Sequence, residues 1–153
     1  MAITTAQLAA YLIHTFEGMR TVAYWDPHGK VWTCGFGHVS GVVEGTTCTI
    51  EEAIVWLAQD SAPLLEMVKD RPVVEAAALV SFGYNCGAGA LRRVLSGDVQ
   101  IVHEEFMTGA GTGAAYGESS GGAVLPGLVA RRNLEAALVE ASRAGAGAGG
   151  PVL

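Results

Sequence analysis

Residues 16–38 read FEGMRTVAYWDPHGKVWTCGFGH, and the fold turns on where this stretch changes character. Its first three residues close a helical pattern. Leu8, Leu12, Ile13 and Phe16 recur at helical intervals behind Thr4 and Gln7, which have capping-box spacing, so a helix is expected over 4–17 with Gly18 as its stop. After Gly18 the residues become β-branched and aromatic on both sides of Asp26-Pro27-His28-Gly29, which is turn chemistry. The spacing predicts a β-hairpin, with a third short strand near 36–39. Glycines at 35, 37, 41 and 45 fit tight backbone or a close approach to a ligand.

Working outward, the helical period returns at Thr49 and Glu52, a second capping box, with Ile50, Ala53, Ile54 and Leu57 as its apolar stripe. Pro63 is expected to kink or break that helix. Pro72 reads as a first-turn proline for an apolar helix over about 72–85, followed by shorter helices near 88–95 and 98–107. Residues 109–123 are too glycine-rich for a regular element and read as a long loop, expected to move over a cleft. Pro126 opens a last helix to about Ser142, giving one domain over 1–142 and a flexible Gly/Ala-rich tail over 143–153. The expected class is α+β, mostly helical, with a small hairpin lobe and a helical lobe.

The 153 residues are 50% hydrophobic and 16% charged, a folding composition of single-domain size. A net charge of −6 argues against bulk attraction to nucleic acid. No apolar run approaches the ~20 residues of a membrane span, and the N-terminal stretch lacks the pattern of a signal peptide. The expectation is a soluble protein that does not export itself. Cys34, Cys48 and Cys86 are an odd number, read as thiols of a reduced compartment; a Cys34–Cys48 disulfide after release into an oxidising one stays open. Cys34, His38 and Cys48 lack the paired C-x-x-C of a zinc knuckle, so no metal is expected, and no cofactor.

Polar groups concentrate between Glu17 and His38. A carboxylate at a helix C-terminus meets the negative end of the helix dipole, and Phe16, Tyr24 and Trp25 stand nearby to desolvate it. A carboxyl kept protonated in that way suits general-acid work. Asp26 follows nine positions later and Thr33 lies on the return strand. Each has an ordinary structural explanation: a rim glutamate, a turn aspartate, a strand threonine. Together they offer two carboxyls and a hydroxyl to one cleft, which suits glycoside hydrolysis, where one acid protonates the leaving oxygen and a second carboxylate activates water.

The same residues resemble the phage-type lysozymes of glycoside hydrolase family 24: Glu-Gly at the end of helix 1, an aspartate nine residues on, then Trp-Thr-x-Gly-aromatic-Gly-His. TTCTIEEAIVWLAQD (46–60), AAALVSFGYNCGAGA (76–90) and GGAVLPGLVARRNLE (121–135) are similar to further family segments, in the family's order. The resemblance implies a lysozyme-like fold and a muramidase that cuts the β-1,4 bond between N-acetylmuramic acid and N-acetylglucosamine in peptidoglycan. It implies Glu17 as general acid, Asp26 as the handler of the attacking water and Thr33 as its helper, by an inverting mechanism. Val39 and Tyr84 fall where family members contact sugar, and Asn85 beside Tyr84 suits an N-acetyl group. His38 matches the family histidine, read as structural, and Arg131 and Arg132 the arginine pair expected to tie the last helix to helix 1. The partner implied is the glycan strand, with no nucleic acid, no stable membrane insertion and a monomeric protein. It would be made in the host cytoplasm and act on the wall after release through a holin or another route.

Four features depart from the family pattern. The aspartate-to-threonine spacing is one residue longer, which places an insertion in the turn from Pro27 to Lys30. Absorbed in the turn, it leaves Thr33 on its face; otherwise a one-residue slip reverses the strand. The segment after Gly87 is short, the tryptophan expected after Phe106 is replaced by the glycine-rich loop, and the chain is acidic. These leave two other readings: a lytic transglycosylase, which needs mainly the one acid, and a peptidoglycan-binding module without catalysis.

Overall fold

The computed structural model describes residues 2–27, 29–97 and 126–147, with the side chains of 146 and 147 excepted. The elements follow in the order α1 (Thr5–Glu17), β1 (Arg20–Asp26), β2 (Val31–Gly35), α2 (Ile50–Met67), α3 (Val73–Cys86), α4 (Ala88–Ser96) and α5 (Pro126–Gly147). The helices expected near 98–107 and the loop expected over 109–123 lie outside the described residues, as does the end of the tail.

Both capping boxes form. Thr4 accepts from the Gln7 amide and Thr49 from that of Glu52, while each partner's side chain returns a bond to the cap's own amide. Pro72 sits at the N-cap of α3. Of the kink or break expected at Pro63, the break does not occur: α2 runs through it to Met67. Proline there gives up the bond it would donate to the Gln59 carbonyl, a cost of about 3 kcal/mol. Beyond it Leu64 and Val68 are buried in the core, and at about 1.5–3 kcal/mol each that burial offsets the loss. The last helix likewise outruns its expected end at Ser142. Residues 143–147 are helical rather than tail, with Arg143 reaching the buried Glu75 of α3 at 3.1 Å.

β1 and β2 pair antiparallel with Tyr24 opposite Thr33, Trp25 opposite Trp32 and Asp26 opposite Val31. The expected third strand near 36–39 is instead a tight turn, in which Cys34 and His38 exchange both backbone bonds at 2.9 Å. The outer edge of β1 is filled by residues 46–48: the Ala23 amide donates to Thr46 and the Cys48 amide to Thr21. The β1–β2 register shifts between Arg20 and Tyr24, the stretch of β1 that bonds to residues 46–48.

α3 is the centre of the helical part. Glu75 through Gly83 are all buried, and the helix packs against α1, α2, α4 and α5. A helix apolar on every side must be surrounded. Gly83 permits the closest of these contacts, since a Cβ there would stand 2.9 Å from Leu91 of α4 and 3.2 Å from Leu64 of α2. α2 packs on β2 at one side and on α1 and α3 at the other, so it joins the hairpin lobe to the helical lobe.

Candidate active site

Glu17 is the last residue of α1, fixed there because Gly18 leaves the helix at φ +66°. Its Oε1 accepts a hydrogen bond from Nη1 of Arg131, a buried guanidinium on α5. That guanidinium is held on its other sides: Nη2 donates to the Ser81 carbonyl at 2.9 Å, Nε to Glu135 Oε1 at 3.0 Å, and Phe16 lies 5.4 Å away by its ring centre. Arg132 pairs with Glu135 Oε2 at 2.8 Å and donates to Asn85 Oδ1 at 2.9 Å, above the Phe82 ring. Burial pushes the Glu135 carboxyl above its ordinary value, opposed by both guanidiniums, and holds Arg132 below its own. Two buried cations thus face two carboxylates, with Glu17 the one nearer solvent. Arg131 ties α5 to helix 1, as expected of the pair; Arg132 reaches α3 instead.

With Oε1 taken, Oε2 faces the opposite wall. A Cβ on Gly37 would stand 3.9 Å from Oε2 and 3.7 Å from the Tyr84 ring. Tyr84 is fixed by donating its hydroxyl to the Phe36 carbonyl at 3.1 Å. Burial raises its pKa, with Asp60 and Glu17 adding to the shift.

The hairpin register puts Tyr24, Asp26, Val31 and Thr33 on one face, with Trp25 and Trp32 packed edge to face on the other. In the turn between the strands Lys30 takes φ +53°. Gly29 folds back over Asp26 so closely that a Cβ would lie 2.9 Å from Oδ2, so any larger residue there would push the Asp26 carboxylate aside. Thr33 Oγ1 is buried without a protein hydrogen-bond partner among the described residues. Tyr24 sits under Arg20, whose Cζ is 4.7 Å from the ring centre, and its pKa is raised first by burial, then by both Asp26 and Glu17. One phenol thus feels both carboxyls.

Two cavities flank this arrangement. Gly37, Val39, Asp60, Pro63 and Tyr84 line one of about 300 Å³. Glu17, Phe16, Asn85, Leu128 and Arg131 line another of about 450 Å³. Val39 and Tyr84 therefore share a wall, whereas Asn85 lines the other cavity together with Glu17. His38 stacks on Trp56 at 4.6 Å and its Nδ1 meets Asp60 Oδ2 at 2.8 Å, a structural role. Asp60 was not singled out by sequence, because its partner lies on another element 22 positions away and an aspartate on a helix carries no signal of its own. Among the described residues no group of three His, Cys, Asp or Glu is placed to hold a metal ion.

Comparison with known proteins gives a consistent result. The family model for phage lysozyme matches residues 14–135. The chain is 34% identical over 148 residues to the endolysin of Bacillus phage B103, covering 87% of this chain and 52% of that protein. It is 30% identical over 142 residues to the endolysin of Acyrthosiphon pisum secondary endosymbiont phage 1, covering 86% and 94%. The chain thus spans about half the length of the Bacillus phage relative and nearly all of the second. Among solved structures, the muramidase domain of SpmX from Asticaccaulis excentricus superposes with a TM-score of 0.66 at 30% identity, covering 90% of this chain and 98% of that one. An endolysin from Escherichia coli O157:H7 phage FAHEc1 gives 0.64 at 26% identity, covering 91% and 94%.

Proposed function

The chain belongs to the phage lysozyme family, and from that premise we propose that it is a muramidase that hydrolyses the β-1,4 bond between N-acetylmuramic acid and N-acetylglucosamine. The observation that carries this reading is the state of Glu17. One carboxyl oxygen is held by Arg131, while the other lies near Gly37, which also neighbours the Tyr84 ring. In this role Glu17 donates a proton to the departing glycosidic oxygen. Asp26, with its carboxylate held under Gly29, takes the proton of a water on the opposite face of the sugar, and that water attacks the anomeric carbon. Thr33 supports this division, because its buried hydroxyl lies on the Asp26 face and has a bond to give. The reaction then inverts the anomeric centre and needs room for water between the two carboxyls, about 6.5–9.5 Å. Val39 and Tyr84 contact the sugar on one side of the cut and Asn85 an N-acetyl group on the other. In this reading the protein acts as a monomer, made in the host cytoplasm and released to the wall through a holin-type pore.

The test is mass and NMR analysis of purified peptidoglycan digested by the full chain. Reducing, hydrated muropeptides whose first-formed anomer is inverted are expected. Anhydro-sugar products would make the protein a transglycosylase, and binding without products would make it a glycan-binding module.

A further inference from the structure

We propose that Cys34 and Cys48 form a redox-responsive covalent staple across the wall of the cleft. Their sulfurs lie 3.4 Å apart, both buried, one on β2 and the other immediately before α2. A disulfide needs about 2.05 Å, so closure asks for a movement of roughly 1.4 Å, within reach of side-chain rotation. The frame around the pair is fixed: both thiols point at the Arg20 carbonyl, and the Cys48 amide is bonded to Thr21. Residues 35–47, enclosed between the two cysteines, carry Gly37, Val39 and Ser40 of the cavity wall and His38 of the Asp60 pair. Oxidation therefore cyclises this wall without asking the backbone to refold. Cys86 is excluded from the exchange, since it is on α3 against Arg132.

The step balances as thiol–disulfide exchange with a small-molecule disulfide. Cys48, at 8% exposure the more accessible of the two, attacks one sulfur as its thiolate and expels one small thiol. The Cys34 thiolate then attacks the Cys48 sulfur of the mixed disulfide and expels the second. Two cysteine thiols are oxidised, one small-molecule disulfide is reduced, and the two cysteine protons end on the two released thiols. Burial first, then the neighbouring Cys34, push the Cys48 thiol up to about 11, with Glu52 of α2 adding to the shift. The thiolate is scarce at neutral pH, so exchange is slow there and speeds about tenfold per pH unit. The staple closes a loop of the length at which such bonds stabilise appreciably.

The experiment incubates the folded full chain with oxidised glutathione at pH 8 without denaturant, followed by intact mass, peptide mapping and thermal unfolding. Expected are the loss of two hydrogens, a Cys34–Cys48 linked peptide, and a Tm raised by roughly 5–10 °C that dithiothreitol reverses. Cys86→Ser should behave identically. A stable glutathione adduct, a bridge that includes Cys86, an unchanged mass or a lowered Tm would each overturn the proposal. Mapping of the wild-type chain decides the matter even if Cys48→Ser fails to fold.

Discussion

Glu17 and Arg131 show how a surface carboxyl becomes a fixed one. The guanidinium meets Glu17, Glu135 and the Ser81 carbonyl at once, so it cannot turn toward solvent without leaving Glu135 buried and underpaired. Arg131→Ala is therefore expected to cost about 3–5 kcal/mol in urea unfolding, far more than an exposed ion pair would. Thr33→Val is expected to separate stability from rate. It removes a buried hydroxyl that has no partner among the described residues, so Tm should hold or rise, while muropeptide release falls about tenfold to a hundredfold if the hydroxyl orients water. Equal rates for Thr33→Val and wild type would remove Thr33 from the chemistry. Asp26→Asn, measured the same way, should fall by about 10²–10⁴. Glu17, Asp26 and Thr33 can be proposed from sequence because each lies within a contiguous motif of 23 residues. The bond from Arg131 to Glu17 spans 114 positions and that from Asp60 to His38 spans 22. Partners that distant leave no local pattern, and only packing brings them together.

At the scale of elements, periodicity and capping placed the helix starts well, because two capping boxes and a turn proline are local chemistry. It misplaced features that tertiary packing decides. The outer edge of β1 took residues 46–48, because a loop returning toward α2 passes there, and α2 kept its helix through Pro63 because Leu64 and Val68 had a core to enter. Gly83 sets a limit on the α3 packing. Gly83→Ala gains about 1 kcal/mol of helix propensity, but its methyl meets the buried Leu91 at 2.9 Å, and overpacking costs about 1–3 kcal/mol. The expected result is net destabilisation, seen as a lower urea midpoint with an unchanged slope; a raised midpoint would show that Leu91 yields freely.

Across the whole molecule, one buried helix holds the other helices together. α3 supplies Ser81 to the Arg131 cluster, Tyr84 to one cavity and Asn85 to the other, while its nine buried residues bind α1, α2, α4 and α5 together. Leu79→Ala, at 1% exposure, should cost about 2–5 kcal/mol in a single cooperative transition. Two separate transitions would mean that the hairpin lobe unfolds on its own. The acidic net charge of −6 gives this chain no long-range attraction to an anionic surface. In the proposed reaction, chemistry in the cleft depends on the proton of Glu17. The most direct measurement is the kcat/KM of Glu17→Gln on purified glycan strands, with circular dichroism confirming the native fold. Native structure and a loss of at least about 10³-fold are expected; a folded Glu17→Gln that keeps near wild-type turnover would remove Glu17 from the acid's role.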